Sequence, residues 1–239
     1  MKQRTTLGIT YLLFFALMIF LNYWSATNVG MVANQDQALI QPAGYAFSIW
    51  GLIYVLLFIW IVRIFFLGRY EESAYAQVRY WPAVNFALNG MWIIAFTQEW
   101  LLVSVLIIIA LLTTLVIMYT RISAIRFSWF DRLPFSIYFG WVSVATIVNI
   151  FTWIVQADVT TILGLDELIW TLIMLIVTTL LAAFVSLRYR DWAYPLVFLW
   201  SFIAIFMENE LTSILVVTAS CAVVHLALSI IVLIRKKQA

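Results

Sequence analysis

Long apolar runs follow one another along almost the whole chain, at 7–24, 45–67, 81–97, 101–120, 133–155, 168–187, 192–207 and 211–234. A helix crosses the hydrocarbon core of a bilayer with about 20 apolar residues, so each run has roughly the length of one crossing. Inside hydrocarbon every backbone N–H and C=O must find a partner in the protein, which leaves helices or closed barrels. Barrel strands would alternate apolar and polar residues, whereas these runs are unbroken. The runs therefore predict an all-α, polytopic membrane helix bundle with eight transmembrane helices. In 239 residues that leaves no room for a soluble domain. Composition agrees: 66% of residues are hydrophobic and 10% charged, against about 45–50% and about 25% in soluble domains. A water-soluble enzyme and a disordered chain are both excluded. The net charge of +2 gives no reason to expect nucleic acid, and the single cysteine, Cys221, permits neither an intrachain disulfide nor a cysteine-clustered metal site.

Charge orients the runs. With eight crossings and the N-terminus inside, all 13 basic residues fall in inside segments, among them Lys2, Arg4, Arg79, Arg121, Arg132, Arg188, Arg190 and Lys236. The outside segments hold Asp36, Glu99, Asp158, Asp166, Glu167, Glu208 and Glu210 and no basic residue. Lys and Arg in short loops mark the cytoplasmic side, so both termini are expected in the cytoplasm. Lys2 and Arg4 before an apolar stretch resemble a signal peptide, but Tyr23-Trp24-Ser25-Ala26 is a poor cleavage site, and the first helix is expected to be retained. The longest predicted loop, 25–44, is polar and nearly neutral; it reads as a solvated connector or as a lid over an outward-facing pocket. A faint repeat relates Trp81-Pro82 through Glu99 to the stretch from Trp192 and Pro195 through Glu210.

Reactive groups are scarce. Charged side chains within transmembrane helices mark ion paths and proton relays, and here none sits at mid-depth; Arg63 lies close enough to a helix end to snorkel. His225 is the only histidine. A metal site needs several ligands, so His225 reads as a polar residue bonded to a neighbouring helix, and no metal site is expected. Signatures of hydrolysis, metalloproteolysis and phosphate binding are missing. No catalytic residues are assigned and ordinary acid–base catalysis is not expected.

Aromatic residues carry more information. Trp24, Trp100, Trp153 and Trp170 fall near one interface and Trp81, Trp129 and Trp192 near the other, as in an aromatic belt. Trp50, Trp60, Trp92, Trp141 and Trp200 lie within the runs, where an indole N–H needs an acceptor and the ring is expected to face protein or ligand. Helical spacing groups them. Phe47, Trp50 and Tyr54 share one face, as do Asn85, Asn89, Trp92 and Phe96, and Trp141, Ala145, Asn149 and Trp153. Three stripes of rings and amides at one depth suit a small-molecule pocket with flat apolar walls. They suit equally a helix–helix interface in which Asn bonds across helices and Trp fills space.

The same stripes carry a family resemblance. Pro42-Ala43-Gly44-Tyr45-Ala46-Phe47-Ser48-Ile49-Trp50, continuing to Tyr54, resembles the Pro-x-Gly-Trp-x-Phe…Trp-x-x-x-Tyr segment of the TspO/MBR family, the tryptophan-rich sensory proteins related to the mitochondrial translocator protein. Leu88-Asn89-Gly90-Met91-Trp92 is similar to its Leu-Asn-x-x-Trp, and Tyr138, Trp141, Ala145, Asn149 and Trp153 resemble its helix-five pattern. Phe47 and Trp50 are three apart where the family has four, which implies a different start to that helix. The resemblance covers residues 7 to about 155. It implies a five-helix TspO-like core at 1–155 and three additional transmembrane helices at 156–239. It further implies a multi-pass protein of the cell membrane that binds a planar hydrophobic molecule, tetrapyrrole-like or sterol-like, and serves as sensor or regulator. A porphyrin is the implied ligand, no cofactor is required, and a homodimer is compatible with the pattern. The implied ligand-binding residues are Phe47, Trp50, Tyr54, Asn89, Trp92, Phe96, Trp141, Ala145, Asn149 and Trp153. Transport of a neutral or lipid-like substrate, and a subunit role in a membrane complex, are the alternatives.

Overall fold

The computed structural model describes residues 2–34, 37–68, 70–125 and 128–237. Among these the chain is all helical, apart from one isolated bridge pair. The helices are α1 (Lys2–Asn34), α2 (Ile49–Arg63) with 3-10 turns Gly44–Ser48 before it and Ile64–Phe66 after it, α3 (Ala74–Val78), α4 (Trp81–Thr97), α5 (Leu101–Ser123), α6 (Trp129–Gln156), α7 (Glu167–Tyr189), α8 (Ala193–Glu208) and α9 (Thr212–Lys237). Each of the eight predicted runs thus becomes one helical segment. Six of these segments have the length and composition to cross a membrane; α4 and α8 are shorter, at 17 and 16 residues.

Local chemistry sets the ends. Pro82 sits in the first turn of α4, where a missing N–H breaks no helical hydrogen bond. The next turn is closed by Glu99 in a left-handed conformation, φ 59°. Asp166 caps α7, its carboxylate accepting from the Ile169 amide at 2.9 Å, with Glu167 in the first turn and Arg188 in the last; these charges complement the helix dipole. The Asp191 carboxylate accepts from the Ala193 and Tyr194 amides and so satisfies the start of α8.

Two expectations fail at the first connection. The helix predicted to stop at residue 24 runs on to Asn34. Ser25, Thr27, Asn28 and Gly30 read as loop residues, yet no proline breaks the run, and Gly or Asn inside a helix costs only a fraction of a kcal/mol to about 1 kcal/mol. The remaining connection is not a solvated linker. Residues 38 and 40–43 are buried. The Leu39 amide donates to Glu167 Oε1 at 2.6 Å, the Asn209 side-chain amide donates to the Leu39 carbonyl at 3.0 Å, and the Ala43 amide donates to the Ala204 carbonyl at 3.1 Å. Gln35 and Asp36 lie outside the described residues.

The chain forms two compact units, residues 1–34 with 50–142 and residues 35–49 with 143–239. The change of unit falls inside α6, not at the end of it. In the first unit α4 packs on α1 and α5, and α3 packs on α5. Trp60 is fully buried among Tyr11, Tyr75 and Phe135. Arg63, at the end of α2, reaches Asp131 at 3.2 Å and lies over the Phe130 ring. In the second unit α8 packs on α7, α9 and the 3-10 turn Gly44–Ser48, and α7 packs on α9.

Candidate functional site: an aromatic cluster around Trp50

Trp50 stands in the first turn of α2 and is the hub of a ring cluster in the first unit. The Tyr54 ring, one turn on, stacks against it at 5.7 Å and 26°, and the Trp92 ring of α4 lies 6.0 Å away. Tyr138 and Trp141 of α6 meet it edge-on at 5.7 Å and 6.3 Å. Phe96 extends the row from Trp92 at 5.7 Å. All separations lie in the range where aromatic pairs attract, each adding about 0.5–1.5 kcal/mol beyond the area buried. Trp92, Phe96, Tyr138 and Trp141 are buried; Trp50 and Tyr54 are half-buried.

Two polar groups belong to the cluster. Asn89 is fully buried. Its side-chain amide donates to the Tyr138 hydroxyl at 2.9 Å, and its carbonyl accepts from the Asn22 side chain at 2.8 Å. The relay Asn22–Asn89–Tyr138 ties α1, α4 and α6 together. The Tyr54 hydroxyl is buried and has no hydrogen-bond partner among the described residues. None of the clustered residues is charged, so the site offers flat apolar walls and a hydroxyl.

Of the ten predicted residues, the structure brings together Trp50, Tyr54, Trp92, Phe96 and Trp141, with Asn89 joined through Tyr138. Phe47, Ala145, Asn149 and Trp153 belong to the second unit. There Phe47 lies in the 3-10 turn, Asn149 is buried, and Ala145 and Trp153 are half-buried. Asn85, on the same stripe as Asn89, turns instead to Thr114 of α5, at 2.7 Å. Two participants were left out of the prediction. Tyr138 stands one helical turn before Trp141, and Asn22 is an amide near the end of an apolar run; both positions were readable signals. The different start of the second helix, expected from the Phe47–Trp50 spacing, is seen as a 3-10 turn over Gly44–Ser48 before α2 begins at Ile49.

The other singled-out groups are accounted for within their units. His225 is buried on α9, its ring stacked on Phe198 at 5.5 Å and edge-on to Phe202 at 5.0 Å, with Thr179 Oγ1 of α7 3.3 Å from Nε2. The Trp200 indole donates to the Ala46 carbonyl at 3.0 Å. Among the described residues no three His, Cys, Asp or Glu side chains converge as a metal site would require. A cavity of about 290 Å³ lies in the second unit, and none of the ten predicted residues lines it.

Comparison with known families finds one match, a family model described as TSPO-like protein, over residues 8–233. The match runs through α7, α8 and α9, beyond residue 155 where the motifs stop. No curated protein and no solved structure matches the chain.

Proposed function

The chain belongs to the TSPO-like protein family and is an integral membrane protein; from that premise we propose that its ring cluster binds a planar hydrophobic molecule, tetrapyrrole- or sterol-like, and that the protein acts as a sensor or regulator. One observation carries the reading. The Tyr54 hydroxyl is buried beside the Trp50 ring without a partner among the described residues. An unsatisfied buried hydroxyl costs about 1–3 kcal/mol, and a flat ligand with a polar edge, entering beside Trp50, would supply the missing hydrogen bond while stacking on indole. Four aromatic rings around Trp50, with Phe96 beyond Trp92, suit a planar molecule better than a flexible one, because stacking rewards flat contact. The lack of a charged group among them suits a ligand whose ring system is uncharged. Nothing in the cluster moves protons between a base and a substrate, so the reading is binding without acid–base turnover.

The test is a titration of purified protein with protoporphyrin and, separately, with a sterol. Visible absorption and Trp quenching are the readouts, and Trp50→Ala and Trp92→Ala are the comparison proteins. Saturable binding that weakens in both variants supports the proposal. Binding unchanged in folded Trp50→Ala protein removes the cluster from it.

A further inference from the structure

The second unit holds a cavity of about 290 Å³ between the last turns of α6, the connection 157–166 and the first turns of α7. Ile147, Phe151 and Ile154 of α6 and Met174 of α7 wall it, and it follows α6 for about 12 Å at 1.5 Å per residue. At its edge stand Thr160 and Thr161, both exposed, together with Glu167 and Trp170. The connection is held in place by a tight turn. Ile162 and Leu165 exchange both backbone hydrogen bonds, at 2.9 and 3.0 Å, around Leu163 and Gly164, which have φ of 54° and 78°. Two consecutive left-handed residues are what a two-residue hairpin of this type requires. The Trp170 indole donates to the Ile162 carbonyl at 2.9 Å, which fixes the ring at the cavity edge.

Charge at this edge is of one sign. Asp158, Asp166 and Glu167 stand on the connection and the start of α7, and the sequence from 133 to 187 has no Lys, Arg or His. Asp166 is engaged as the cap of α7. Glu167 accepts from the Leu39 amide through Oε1, while a carboxylate offers about four acceptor positions. An anionic head would be repelled here. A cationic one meets the Glu167 carboxylate and the Trp170 indole, both of which line the cavity, and an indole face attracts ammonium groups. At about 30 Å³ for each water-sized group, the cavity has room for roughly eight to ten carbons of an aliphatic chain.

We propose that this cavity is a binding site for an alkylammonium amphiphile, with the chain among Ile147, Phe151, Ile154 and Met174 and the head at Glu167 and Trp170. The site shares no residue with the ring cluster around Trp50, and its occupancy is independent of the ligand proposed there.

The test uses full-length protein in phosphatidylcholine nanodiscs and measures saturable binding of radiolabelled decyltrimethylammonium, with empty nanodiscs subtracted. Decanol and decanoate are the neutral and anionic comparisons. The cation is expected to bind at least tenfold more tightly than decanol, and decanoate more weakly still. Glu167→Gln and the cavity-filling Ile154→Trp should each weaken the cation at least tenfold, and Trp92→Ala should leave it unchanged. Thr161→Lys, at an exposed position that leaves the packing intact, should weaken the cation and strengthen decanoate. Equal binding of cation and decanol would reduce the cavity to a crevice for any hydrocarbon tail and overturn the proposal. So would cation affinity unchanged in Thr161→Lys, or lost in Trp92→Ala.

Discussion

At the scale of single residues, the ring cluster separates side chains that hold the helices together from those with capacity to spare. Asn89 is of the first kind: both ends of its amide are engaged, one by Tyr138 and one by Asn22. Asn89→Leu strands the buried Tyr138 hydroxyl, at about 1–3 kcal/mol, whereas half-buried Asn22 keeps its bond to the Met18 carbonyl at 2.9 Å, so its expected effect is a lower unfolding temperature before any change in ligand affinity. Tyr54 is of the second kind. Tyr54→Phe removes a hydroxyl that has no partner among the described residues, so thermal unfolding of the ligand-free protein should move upward, while the affinity for protoporphyrin should fall by about one hydrogen bond, roughly 0.5–1.5 kcal/mol. A downward shift of unfolding temperature would show that the hydroxyl is satisfied in the native membrane. Trp92→Ala removes a wall. Burying an aromatic side chain is worth about 1.5–3 kcal/mol and stacking about 0.5–1.5 kcal/mol, so protoporphyrin should bind about tenfold to a hundredfold more weakly, at 1.4 kcal/mol per decade. The helical stripes made Trp50, Tyr54, Trp92 and Phe96 legible as neighbours, since spacing alone places them on common faces. What Asn89 faces was not legible, because a buried amide at helical spacing looks the same whether it faces a ligand or another helix.

At the scale of elements, hydrophobic pattern located the segments well and their ends less well. Trp81–Thr97 matches its predicted run at both ends, because Pro82 at one end and the Gln98–Glu99 turn at the other are unambiguous punctuation. The start of α6 shows the limit. The apolar run at 133–155 predicts a helix beginning at residue 133, yet the helix starts at Trp129 and carries Pro134 inside, with the Ser128 amide donating to Asp131 Oδ2 at 2.9 Å just before the first turn. Glycines show how packing decides what local preference leaves open. Gly51 on α2 is exposed and a Cβ there meets nothing within 4 Å, whereas a Cβ on Gly8 of α1 would stand 2.6 Å from Phe65 Cζ and 2.8 Å from Ile64 Cγ2. Gly51→Ala is therefore expected to stabilise by about 0.5–1 kcal/mol through helix entropy. Gly8→Ala should destabilise by about 1–3 kcal/mol through overpacking, since two side chains of the Ile64–Phe66 turn must move at once. Unfolding temperatures of the two variants in one detergent decide the matter: shifts of the same sign contradict the packing seen between α1 and that turn.

At the scale of the whole molecule, the distribution of charge and the lengths of the helices constrain how the chain threads a bilayer. With 23 residues, α7 spans about 34 Å at 1.5 Å per residue, more than the roughly 30 Å of hydrocarbon, so its two ends belong to opposite sides. One end has Asp158, Asp166 and Glu167 near it and the other Arg188 and Arg190; from the bias of Lys and Arg toward the cytoplasm the second end is expected inside. The two short helices, at 17 and 16 residues, are only about 26 and 24 Å long. A short hydrophobic helix can still cross where the bilayer thins locally, at a modest cost per Å of mismatch. Charge favours crossing: α4 has Arg79 before it and Glu99 after it, and α8 has Arg190 before it, Glu208 at its end and Glu210 after it, so each short helix separates a basic turn from an acidic one. If α4 did not cross, the basic connection before it and the acidic turn after it would lie on one side, and the segregation of all 13 basic residues would break. Single cysteines at Gln77, Gln98, Thr161 and Arg190 read this out, against a background kept low because Cys221 is buried. In intact cells an impermeant maleimide should label the cysteines at 98 and 161 and reach those at 77 and 190 only after permeabilisation. Labelling of 77 together with 98 would leave α4 on one face of the membrane, and labelling of 190 but not 161 would invert the topology.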